Sequence, residues 1–143
     1  MKTLKQLLAG KTKELASIAP DQTVVHALEV MAEYDVGALL VLDGKSLAGV
    51  FSERDYARKV ILQGKSSKHT KVNEIMSEKV VYVTLDETIE QCMAIMTERH
   101  FRHLPVLDAD QNVVGIISIG DLIKETIAQQ EFIISQLEHY ISR

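Results

Sequence analysis

The chain repeats itself, and the repeat limits what it can fold into more than any other feature. Asp21-Gln22-Thr23-Val24 lies over Asp86-Glu87-Thr88-Ile89 at an offset of 65 residues. In that register Val24, Ala27, Leu28 and Met31 match Ile89, Cys92, Met93 and Met96. Both sets follow the i, i+3, i+4, i+7 spacing of one apolar stripe on a helix. The Asp ahead of each stripe is a candidate N-cap, with Thr two residues on.

The register continues downstream. Leu39-Leu40-Val41-Leu42-Asp43 lies over Leu104-Pro105-Val106-Leu107-Asp108, two buried strands that each end in a turn. Asp43-Gly44 is a strong hairpin signal. The second copy turns through Asp108-Ala109-Asp110-Gln111-Asn112 and is one residue longer, so the offset becomes 66. Gly49-Val50-Phe51-Ser52 then matches Gly115-Ile116-Ile117-Ser118, and a second helix follows each, over 53–62 and from 119 onward. A short strand precedes each stripe, over 14–18 and 79–83. Each unit therefore reads β-α-β-β-α, an α+β / α/β class. Leu4-Lys5-Gln6-Leu7-Leu8 and Val72-Asn73-Glu74-Ile75-Met76 are matching lead-in turns, and 63–71 is a linker. We divide the chain into a first repeat at 1–65, a second at 66–127 and a helical extension at 128–143.

Composition narrows the function. A net charge of −4 and pI near 5.7 exclude a dedicated nucleic-acid binder, which needs a clustered cationic face. Aromatics at 5% with no Trp leave few stacking platforms. A single cysteine, Cys92, excludes an internal disulfide or a cysteine metal cluster and points to a reducing cytoplasm. The N-terminus lacks a signal-peptide pattern. The apolar run at 37–42 is too short to span a bilayer, so we expect no membrane partner.

Gly49-Val50-Phe51-Ser52-Glu53-Arg54-Asp55 and Gly115-Ile116-Ile117-Ser118-Ile119-Gly120-Asp121, together with Arg102-His103-Leu104-Pro105-Val106, make the chain resemble a tandem pair of CBS domains, a stand-alone Bateman-type module. The resemblance covers everything but the last helical stretch. It implies two repeats packed pseudo-symmetrically, lead-in turns that cross to the partner repeat, and two clefts for an adenine-containing ligand: AMP, ADP, ATP, NAD(H) or S-adenosylmethionine. It further implies that adenine is held by backbone groups near Lys13 and Leu15 in one site and near Lys79, Val80 and Val81 in the other. It also makes Arg102 and His103 phosphate-contacting cations.

The residues themselves allow two readings. Ser52 and Ser118 end a strand and open a helix, where the helix dipole attracts phosphate. A carboxylate three residues on, at Asp55 or Asp121, has the acceptors to hold both hydroxyls of a ribose. The same Ser-x-x-Asp is also a capping box that binds nothing, and Ser can do both. Gly49 and Gly115 allow close approach of another backbone or of a ligand. The copies differ in their cations. Arg102 and His103 lie over Gly37 and Ala38, whereas Arg54 and Arg58 lie over Gly120 and Lys124. Arg54, Arg58 and Lys59 read equally as a solvated helix face. Two unequal sites follow, with Asp121 favoured for a mononucleotide phosphate.

No catalytic set emerges: neither a phosphate-binding glycine motif nor a nucleophile and base pair is present. His100 and His103 lack further ligands for a metal. Asp108-x-Asp110-x-Asn112 lacks the glycine and glutamate of a calcium loop, so it reads as a hairpin turn. Cys92 lies in a stripe and is expected to be buried. Beyond 127, Ile134, Leu137 and Ile141 continue the 3-and-4 spacing of Ile123 and Ile127, with Gln130 in the seam. Such a helix suits a homodimer. The chain thus reads as a non-enzymatic, cytoplasmic nucleotide-sensing regulatory module. The alternative is a ligand-independent dimerising module for a separate effector protein.

Overall fold

Both apolar stripes fold as eleven-residue helices. The computed structural model describes residues 3–9 and 15–142. The elements are α1 (Leu4–Ala9), β1 (Ser17–Ile18), α2 (Val24–Tyr34), β2 (Ala38–Asp43) and β3 (Ser46–Ser52). A short helix α3 (Glu53–Asp55) then widens into a π-helix (Tyr56–Ile61). After it come α4 (Val72–Ile75), β4 (Val83–Thr84), α5 (Ile89–Arg99), β5 (His103–Leu107), β6 (Val113–Ser118) and α6 (Ile119–Ile141). Two three-stranded sheets form, ordered β1-β2-β3 and β4-β5-β6. In each, the first strand is parallel to the second, as a helical crossover requires. The β-α-β-β-α repeat and the mixed class hold.

The stripes bury as expected: Val24, Ala27 and Met31 on α2, and Ile89, Cys92 and Met96 on α5. The caps differ. Thr23 Oγ1 accepts from the His26 N–H at 3.3 Å, and Thr88 Oγ1 from the Gln91 N–H at 3.1 Å. Asp21 and Asp86 therefore do not cap; each lies two residues too early for its side chain to reach the first-turn donors. Asp86 instead accepts from the Thr84 hydroxyl, and this bond lowers its carboxyl pKa.

The first strands are shorter than 14–18 and 79–83. Glu14 lies outside the described residues, and regular pairing starts only at Ser17 and Val83. Before Val83, the Ser77 backbone is engaged with Val50 and the Val80 N–H turns back on the Glu78 carbonyl at 3.0 Å, which prevents earlier pairing. The hairpin at Gly44 forms with φ +66, which glycine adopts without strain. In the longer second turn Asp108 Oδ1 accepts from the N–H groups of Asp110 and Asn112, both at 2.9 Å.

The chain falls into two compact units that interleave along the sequence. One, built on the second repeat, holds 3–9, Tyr82–Leu107 and 114–142. The other, built on the first, holds 15–81 and the turn Asp108–Val113. Each lead-in thus packs with the opposite repeat. Val72 and Ile75 of α4 join Val24, Met31, Val41, Phe51 and Val60 in one core. Leu4 of α1 is fully buried, and Leu8 abuts Gly115. The linker is ordered too: the carbonyls of Thr70 and Ser67 accept from Val24 and Val25 N–H at 2.9 Å each. They satisfy donors that a helix start leaves unpaired.

Candidate functional site

Each Ser-x-x-Asp does what helix-start chemistry demands. In the repeat-1 unit, Ser52 leaves β3 in extended conformation and its Oγ accepts from the Asp55 N–H at 3.2 Å. Asp55 Oδ2 returns the contact, accepting from Ser52 N–H at 2.9 Å and from the Ser52 hydroxyl at 3.0 Å. In the repeat-2 unit, Ser118 Oγ accepts from Asp121 N–H at 3.0 Å, and Asp121 Oδ2 accepts from Ser118 N–H at 2.8 Å. Both are full capping boxes.

A second bond ties each helix start to the strand-2 entrance. Glu53 N–H donates to the Gly37 carbonyl at 3.0 Å, and Ile119 N–H donates to the Arg102 carbonyl at 2.8 Å. The matching bond in repeat 2 holds the exposed Arg102 and His103 next to the first turn of α6. In repeat 1 the same place is filled by Gly37 and Ala38, while Arg54 and Arg58 stand exposed on the helix.

The remaining expected residues are distributed between the units. Leu15, half-buried, shares a unit with Ser52 and Asp55, and Lys13 lies outside the described residues. Lys79 is exposed, Val80 and Val81 are half-buried, and all three belong to the repeat-1 unit. Arg102, His103, Ser118 and Asp121 belong to the repeat-2 unit.

The glycines resolve toward the backbone alternative at position 49. A Cβ there would stand 2.7 Å from the Ser77 carbonyl oxygen, because Val50 and Ser77 exchange backbone bonds at 3.0 and 2.9 Å. At Gly115 it would stand 2.7 Å from Leu8 Cδ2. The glycines thus make room for the lead-ins.

Two residues outside the expected set reach the repeat-1 carboxylate. The Ser77 hydroxyl donates to Asp55 Oδ1 at 3.3 Å, and Lys59 Nζ lies 3.2 Å from the same oxygen. Lys59 also donates to the Ile75 carbonyl at 3.2 Å. The i, i+4 spacing of Asp55 and Lys59 is a sequence signal for this pair. Ser77, 22 residues from Asp55, leaves none.

Among the described residues no group of three or more His, Cys, Asp or Glu could hold a metal. Cys92 is fully buried, and desolvation, with Glu87 adding to it, pushes its thiol up to about 11; a thiol so held is a poor nucleophile.

The sequence profile of the CBS domain matches the chain twice, at residues 5–61 and 72–127. The Arabidopsis thaliana mitochondrial CBS domain-containing protein CBSX3 is 40% identical over 126 residues, spanning 85% of this chain and 61% of its own length. The chain thus covers less than two thirds of that relative. A solved Burkholderia ambifaria protein with CBS domains matches at a TM-score of 0.80 and 48% identity, covering 90% of this chain and 96% of that one. CBSX2, also from Arabidopsis thaliana, solved in complex with AMP, matches at a TM-score of 0.71 and 27% identity over 83% of this chain and 92% of its own.

Proposed function

This chain belongs to the CBS domain family, and from that premise we propose that it is a regulatory module, not an enzyme, that senses an adenine-containing nucleotide: AMP, ADP, ATP or NAD(H). The carrying observation is the start of α6. The Asp121 carboxylate and the Ser118 cap open the helix, and the bond from Ile119 N–H to the Arg102 carbonyl ties that start to the strand entrance carrying the exposed Arg102 and His103. A carboxylate suits a ribose diol, and arginine beside a helix N-terminus suits phosphate. The AMP complex of CBSX2 supports the same ligand class. Leu15, in the same unit as Asp55, would serve the adenine of a ligand there. We place the protein in the cytoplasm, where a lone reduced thiol is stable. Among the described residues no helix is long and apolar enough to cross a membrane.

A ligand that binds the folded state alone stabilises it by RT ln(1 + [L]/Kd), about 2.7 kcal/mol at a hundredfold excess over Kd. A thermal-shift screen with AMP, ADP, ATP, NAD, NADH and S-adenosylmethionine should therefore raise Tm by several degrees for at least one compound. A flat response to all six at millimolar concentration removes this reading. It would leave the ligand-independent module, in which the repeats serve a separate effector. The exposed apolar face of α6 supports self-association under either reading.

A further inference from the structure

One stretch carries a charge that the rest of this acidic chain does not share. Residues 54–71 hold six of the 16 lysines and arginines but only one of the 20 acidic residues, Asp55, and 56–71 hold no acid at all. Lys59 is taken up by Asp55 at 3.2 Å. Arg54, Arg58, Lys65, Lys68 and Lys71 are exposed, and among the described residues none of them has a carboxylate at ion-pair distance. Glu74, the next acid along, is turned onto the Lys71 N–H at 2.6 Å. The backbone holds these cations in place. Gly64, with φ +66, turns the chain after the π-helix, and Lys65 N–H returns to the Val60 carbonyl at 2.9 Å. The Ser67 and Thr70 carbonyls bind the first N–H groups of α2, and Lys71 bridges to Thr23. Lys65, Lys68 and Lys71 thus stand at every third position of an ordered strap within the repeat-1 unit. Between Arg58 and this strap, Ile61 and Leu62 are 55% and 77% exposed.

We propose that this surface docks an acidic peptide segment of a partner protein, one whose carboxylates flank a leucine-type side chain. Arginine forks and lysine ammoniums take the carboxylates, and Ile61 and Leu62 give the apolar anchor that a polar rim surrounds in a protein interface. Charge complementarity selects the occupant. At physiological salt the field of an exposed charge fades over a Debye length of about 8 Å. A short peptide along the strap therefore meets the cations alone, whereas a bilayer or a nucleic acid extends far enough to meet the excess of acids elsewhere on the chain. The surface is independent of the nucleotide reading and supplies what a regulatory module needs besides a ligand, a place for the protein it regulates.

Fluorescence anisotropy on the full chain tests this, with a fluorescein-labelled synthetic peptide, Glu-Glu-Asp-Leu-Leu-Asp-Glu-Glu, as the probe. The wild-type chain should bind it saturably, and added salt should weaken the binding. Lys65→Glu with Lys68→Glu should weaken it by about tenfold or more, and so should Leu62→Ser, all three side chains being exposed. Should the charge variant misfold by circular dichroism, Lys65→Gln with Lys68→Gln replaces it. The same change of net charge at exposed Lys5 and Lys45, as Lys5→Glu with Lys45→Glu, should leave binding unchanged. No saturable binding by the wild-type chain overturns the proposal, as does an equal loss in the Lys5 and Lys45 variant or no loss in the folded strap variants. Sedimentation with phosphatidylserine vesicles that is stronger than peptide binding and is lost with Lys65 and Lys68 overturns it too, and assigns the surface to a membrane.

Discussion

Gly49 and Gly115 occupy one position of the repeat, yet the atoms they face differ in how far they can yield. At Gly49 the obstacle is the Ser77 carbonyl oxygen, fixed by paired backbone bonds to Val50. At Gly115 it is the tip of Leu8, a side chain able to rotate away. Overpacking costs about 1–3 kcal/mol where the surroundings are rigid. Gly49→Ala should therefore fall in that range and Gly115→Ala below it, as read by urea unfolding. Equal costs, or the reverse order, would show that the backbone pair at Val50 and Ser77 is not rigid. At this scale the sequence was partly legible. Contacts three or four residues apart, such as Ser52 with Asp55, follow from helix geometry, and Lys59 could have been placed the same way. Ser77 could not, because nothing local marks a residue that arrives 22 positions later. The Asp21 and Asp86 caps failed for a related reason. Asp and Thr are both good caps, and only the start of hydrogen bonding decides between them.

Elements followed the apolar period closely where the period was long. The stripes of α2 and α5 and the β2 and β3 pair needed only local pattern. The stretch after Ser52 did not read as a π-helix, since its wider turn, seen in Leu62 N–H donating to the Ala57 carbonyl, leaves the apolar spacing unchanged. The helix α6 is one uninterrupted element of 23 residues, about 34 Å long at 1.5 Å per residue, and every residue from Gln130 to Ser142 is exposed. Its seam residues Ile123, Ile127, Ile134, Leu137 and Ile141 are 42% to 79% exposed, more apolar surface than a helix normally leaves to water. An antiparallel pair of such helices would set Ile123 against Ile141, Ile127 against Leu137, and Lys124 beside Glu138 of the other copy at flanking positions. A parallel pair would match no opposite charges. The chain should therefore show a dimeric mass by light scattering, and Ile134→Lys with Leu137→Lys should make it monomeric with helical content unchanged. A monomeric wild-type mass would leave this face without the partner assigned to it.

The whole molecule is assembled by residues distant in sequence, and here local pattern carries least. Leu4 and Val72 each look like part of a short amphipathic turn, and nothing near them says which repeat they serve; only the family resemblance implied the exchange. Yet Leu4 is fully buried in the repeat-2 unit, and Val72 and Ile75 in the core of the repeat-1 unit. A helix of six residues has no stability of its own, so α1 persists only through this burial. The exchange has a measurable consequence. Leu4→Ala removes buried volume at a cost of about 2–5 kcal/mol, and that loss belongs to β4–β6 and α5 although the mutation lies at the other end of the chain. Native-state hydrogen exchange reads opening free energies unit by unit. Leu4→Ala should lower protection at Val106, Ile117 and Met96 while Val41, Phe51 and Met31 keep most of theirs; Val72→Ala should do the reverse. An equal drop across both groups would mean that the units open only together. A drop confined to residues near Leu4 in sequence would contradict the exchange of lead-ins itself.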